Sequence, residues 1–72
     1  MQQIRFDALS ILEGRGPMTA RQLADQLGVR REAAAMLLVR ARRDGLVRYR
    51  RRSGRHRLSD RGRDRLAWLR GH

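Results

Sequence analysis

Six of the ten residues from position 48 to position 57 are arginine: Arg48, Arg50, Arg51, Arg52, Arg55 and Arg57, interleaved with Tyr49, Gly54 and His56. A guanidinium is planar and always charged, and its fork of donors matches the oxygens of a phosphate. The chemistry such a run can do is anion binding. Four further arginines, Arg30, Arg31, Arg40 and Arg43, flank or punctuate the apolar run Ala33 to Val39. Residues suited to making or breaking bonds are scarce. The chain has no cysteine, which removes disulfides, thiolate metal sites and a thiol nucleophile together. His56 and His72 are the only histidines, and no neighbouring carboxylate cluster completes a metal site. Asp60 and Asp64 stand beside Arg61, Arg63 and Arg65, a spacing that suits ion pairs on a helix surface rather than a catalytic carboxylate pair. Ser10 and Ser53 have no nearby base. The expectation is a binding protein, not an enzyme, with no metal and no cofactor.

All 18 basic residues are arginine, and against 7 acidic ones they give a formal charge of +11 on 72 residues. A field that skewed repels itself unless an anionic partner neutralises it, and nucleic acid is the obvious partner. A chain of this length makes one domain, spanning residues 1 to 72, and folding buries only about 60% of the surface its unfolded form exposes. The core must be held by apolar packing, so a dimer interface would help. The run Ala33 to Val39 is too short to span a bilayer and the N-terminus does not resemble a secretory leader, so the expected location is cytoplasmic and nucleoid-associated, with no membrane partner.

The elements that must position these arginines are legible in the spacing. Ile4, Ala8, Ile11 and Leu12 predict a helix over residues 2 to about 13, with Gly14 just past its end. Thr19-Ala20-Arg21-Gln22 has the pattern of a capping box, Met18 and Leu23 sit where a hydrophobic staple would, and Gly28 ends the second helix. A third helix is expected from about Arg30 to Asp44. On it Ala34, Leu38 and Ala41 face inward with Leu37 on the flank, while Glu32, Ala33, Met36, Arg40 and Arg43 face away. Gly45 stops it. Leu46 to Arg50 reads as a strand, Arg51 to Arg55 as a turn with Ser53-Gly54 at its tip, and His56 to Leu58 as the returning strand. Ser59 or Asp60 can cap a last helix with Leu66 and Leu69 inward. The fold class is therefore mainly α with a small β-hairpin: a three-helix core, a two-stranded wing and a C-terminal helix, the order of a winged helix-turn-helix.

The segment Leu23-Ala24-Asp25-Gln26-Leu27-Gly28-Val29, with the later Asp44-Gly45-Leu46-Val47 and Leu58-Ser59-Asp60-Arg61-Gly62, resembles the winged helix-turn-helix domain of bacterial transcriptional regulators, including the MarR and ArsR families. The resemblance covers nearly the whole chain. It implies that helix three is a recognition helix whose N-terminal half enters the major groove of double-stranded DNA. Arg30 and Arg31 would then lie at the groove, one reading a guanine edge and the other holding a phosphate. Arg40 and Arg43 would meet the backbone. Arg48, Arg50, Arg51, Arg52, Arg55 and Arg57 would lie along phosphates or enter a narrow minor groove, with His56 as a polar contact of the wing.

The sequence departs from such regulators on the outward face of helix three, where Glu32, Ala33, Ala35 and Met36 replace the usual Ser, Thr, Asn or Gln. Hydrogen-bond readout should be thin there, with Ala and Met packing on thymine methyls. The same apolar face suits a protein-docking surface, so a protein-interaction adaptor and an RNA-binding winged helix stand as alternatives to a bacterial or phage regulator. The absence of cysteine argues against an iron-linked winged helix of the FeoC type. Trp68 either covers the core by packing on Phe6 or sits in a homodimer interface built from helix one and the C-terminal helix.

Overall fold

Thr19 and Gln22 close the capping box in full: Thr19 Oγ1 accepts from the Gln22 amide at 3.1 Å and Gln22 Oε1 accepts from the Thr19 amide at 2.9 Å. The cap starts the second of four helices. The computed structural model describes the backbone of residues 2–71 and the side chains of residues 5–71; the expectations for Ile4 and His72 lie outside the described side chains. Along the chain run α1 (Gln2–Arg15), α2 (Ala20–Leu27), α3 (Arg31–Arg43), β1 (Val47–Arg50), β2 (Arg55–Leu58) and α4 (Asp60–Arg70). Boundaries agree with the sequence reading to within a residue or two. At α1 the helix runs two residues past the expected end, through Gly14 and Arg15, and the turn comes at Gly16, whose amide donates to the Leu12 carbonyl at 2.9 Å.

Between α2 and α3, Gly28 has φ of 70°, the left-handed conformation that the helix-turn-helix bend demands and glycine adopts without strain. Ala24 and Ala34, 3% and 0% exposed, keep the two helices free of bulk where they pack. Leu9, Leu23, Leu46 and Leu66 are the largest fully buried side chains, and each comes from a different segment. The core therefore lies where α1, α2, the α3–β1 junction and α4 meet. Ala8, Leu12, Met18, Leu38, Ala41, Val47 and Leu58 complete it, and Phe6 packs against its edge half-buried.

The hairpin is antiparallel, with Val47 opposite Leu58, Arg48 opposite Arg57, Tyr49 opposite His56 and Arg50 opposite Arg55. Its far edge is not open along its whole length. Met18 and His56 exchange both backbone hydrogen bonds, at 2.9 and 2.6 Å, so the residue before the α2 cap adds a one-residue third strand to β2. At its base the hairpin is locked by Ser59. Ser59 Oγ accepts from the Gly62 amide at 3.0 Å, capping α4, and donates to the Gly45 carbonyl at 2.6 Å. Gly62 is buried beneath this junction, and a Cβ there would lie 2.0 Å from the Leu46 carbonyl oxygen.

Candidate nucleic-acid interface

Strand alternation sorts the wing residues into two faces. Val47, His56 and Leu58 turn toward the core and are buried, whereas Arg48, Arg50, Arg55 and Arg57 turn outward and are exposed. The register then sets Arg48 directly opposite Arg57 and Arg50 directly opposite Arg55. Two like-charged pairs facing each other across a ladder destabilise a sheet. Residues 47 to 58 contain no Asp or Glu, and none of the six wing arginines makes an ion pair among the described residues. Instead the acidic side chains that do pair sit elsewhere: Asp44 with Arg5 at 2.5 Å, Glu13 with Arg70 at 2.7 Å and Asp60 with Arg63 at 3.5 Å. Among the described residues, the densest run of positive charge is thus left without a carboxylate partner.

Arg51 and Arg52 occupy the turn, where the Gly54 amide donates to the Arg50 carbonyl at 2.8 Å and Ser53 Oγ accepts from the Arg55 amide at 3.3 Å. Below them Pro17, Arg50, Ser53, Arg55 and Arg57 line a shallow groove. Four of the six wing arginines thus share a face and two crown the tip.

His56 is a correction. It does not project as a polar contact of the wing but is buried at 8% exposure, because it lies between Arg55 and Arg57 in the alternation and so points inward. Its ring lies 4.7 Å from that of Tyr49, centroid to centroid, and its Nδ1 is buried without a hydrogen-bond partner. Burial first, and the nearby Arg42 charge second, hold its pKa below the ordinary value of 6.5, against a smaller opposing effect of the Met18 backbone. Arg42 itself lies over the Tyr49 ring at 5.3 Å. This stack of Arg42, Tyr49 and His56 ties the C-terminal turn of α3 to the wing. Sequence reasoning missed it, since Tyr49 and His56 become neighbours only through the hairpin register.

On α3 the outward set is as expected: Glu32, Ala33, Met36, Arg40 and Arg43 are exposed, while Ala34, Leu38 and Ala41 are buried. Arg30 precedes the helix in extended conformation, without a side-chain cap bond, and Arg31 opens it. Two cations at a helix N-terminus oppose the helix dipole and leave the free amides of the first turn available. An arriving phosphate would reverse that penalty. Trp68 is 58% exposed and lies outside the buried core, whose edge is packed by Phe6, Ile11, Ala20 and Leu27. Among the described residues no three His, Cys, Asp or Glu side chains cluster as metal ligands would, and no helix is long and apolar enough to cross a membrane.

No curated protein and no solved structure matches this chain. A sequence profile of the MarR family matches residues 1–57, which takes in the helix-turn-helix and the wing up to Arg57 and stops short of α4. With four helices, a two-stranded antiparallel wing and that match, the chain belongs to the MarR family of winged helix-turn-helix, DNA-binding transcription regulators.

Proposed function

We propose that the protein docks the N-terminal half of α3 in the major groove of duplex DNA and clamps the adjacent backbone or minor groove with the wing. The observation that carries this reading is the pair of directly opposed arginine pairs on the outer face of the hairpin, unneutralised by any described acid. Arg48, Arg50, Arg55 and Arg57 supply the face, Arg51 and Arg52 the tip, Arg40 and Arg43 further phosphate contacts, and Arg30 and Arg31 the contacts at the groove. The site of action is the nucleoid. A homodimer through α1 and α4, with Trp68 at its face, would present two such domains to one site.

Neutralising about six phosphates gives log K against log salt a slope near −5. Fluorescence anisotropy with a random-sequence duplex at several salt concentrations should show that slope. Arg50→Ala combined with Arg51→Ala and Arg52→Ala should weaken binding to every sequence and reduce the slope by about 3. An unchanged affinity in the triple variant would refute the clamp. An acidic polypeptide bound as tightly as duplex would favour a protein partner, and preference for A-form RNA would favour RNA.

A further inference from the structure

We infer that α3 reads the C5 methyl groups of thymine in the major groove, an inference that rests on the duplex-DNA reading above. Met36, at 51% exposure, stands on α3 opposite the buried stripe of Ala34, Leu38 and Ala41, flanked by exposed Ala33 and by Val39 at 37%. None of these three side chains can donate a hydrogen bond, and the sole acceptor among them is the weak thioether sulfur of Met36. They therefore cannot pair with the guanine or adenine acceptors, and the methyl of thymine is the apolar group that a major groove offers them. From Ala33 to Val39 the axis advances about 9 Å, close to three base steps at about 3.4 Å each.

Charge selects DNA over an apolar protein as the occupant of this patch. Arg30 and Arg31 border it on one side and Arg40 and Arg43 on the other, all exposed, and Glu32 is the one acidic residue of α3. An apolar surface framed by four cations complements a polyanion that carries methyl groups. Glu32 is placed to accept from an exocyclic base amine beside the methyl contact.

The test compares two alternating A·T duplexes of equal length and charge, one containing thymine and the other uracil, which lacks only the methyl. The native chain should prefer the thymine duplex by about fourfold for each methyl covered, with the same salt slope for both. Met36→Gln is an exposed, helix-compatible change; with folding confirmed by circular dichroism, it should erase most of that preference, and because Gln can pair with adenine in both duplexes alike, the readout is the ratio of the two affinities. Equal affinity of the native chain for both duplexes overturns the methyl reading while leaving DNA binding intact. A preference that survives fully in Met36→Gln overturns it too, since duplex shape would then be its source. Failure to bind either duplex refutes the DNA reading on which it rests.

Discussion

At the scale of single residues, His56 and Gly62 hold the wing in place by different means. A histidine whose folded pKa lies below its unfolded value is protonated first in the unfolded chain. Its contribution to stability is complete above about pH 6.5, declines as pH falls through that value, and levels off once the folded ring is itself protonated. The groups facing it are Arg42 from α3, Tyr49 from β1 and the Met18 backbone, and the one charge among them repels an imidazolium. His56→Phe should remove the stability loss between pH 7.5 and 5.5 in thermal melts, and at pH 7.5 it should be neutral or stabilising because it deletes a buried atom without a partner. Gly62 presents the opposite case. Gly→Ala inside a helix is ordinarily favourable by about 1 kcal/mol, yet here the new methyl would meet the Leu46 carbonyl oxygen at 2.0 Å. Gly62→Ala should therefore destabilise the fold by about 1–3 kcal/mol in urea titrations.

At the scale of elements, the proposed role of the wing implies a trade of stability for binding. Arg48 and Arg57 face each other across the ladder, so Arg57→Thr should stabilise the free protein by about 0.2–1 kcal/mol at low salt through relief of like charge and better strand propensity. The same change should weaken duplex binding. Paired melts and anisotropy titrations would show the opposite signs, and the electrostatic part of the stability gain should fade in high salt. The docking of the wing is more rigid than a bare hairpin would be. Met18 pairs with β2, Ser59 bridges the Gly45 carbonyl and the α4 cap, and Arg42 covers Tyr49. These contacts fix the orientation of the arginine face, whereas Arg51 and Arg52 at the tip are exposed.

For the whole molecule, charge and size set the terms of recognition. A formal charge of +11 on a body of 31 × 24 × 21 Å produces strong self-repulsion. Added salt should raise the melting temperature of the free protein while lowering its DNA affinity, and duplex at about 100 times its Kd should stabilise the fold by about 2.7 kcal/mol. Calorimetric scans at three salt concentrations, with and without duplex, check both signs. The longest dimension is shorter than one helical turn of about 34–36 Å. In the proposed binding mode one copy covers a half-site, and the proposed dimer through α1 and α4 should protect half-sites about 10 base pairs apart in footprinting.

Read by itself, the sequence determined what depends on near neighbours and on composition. The Thr19–Gln22 box, the Gly28 turn, the inward stripe of Ala34, Leu38 and Ala41 and the arginine run of the wing are encoded within a few positions by capping chemistry and by helical or strand period. Tertiary structure alone decided what depends on residues far apart in the chain. Met18 reaches His56 across 38 positions, Ser59 reaches Gly45 across 14, and Gly62 is needed because the Leu46 carbonyl happens to lie beneath it. His56 illustrates the difference. Its polarity suggested solvent, but the pairing of Arg55 with Arg50 and of Arg57 with Arg48 sent those arginines outward, and alternation left the histidine no place except against the core.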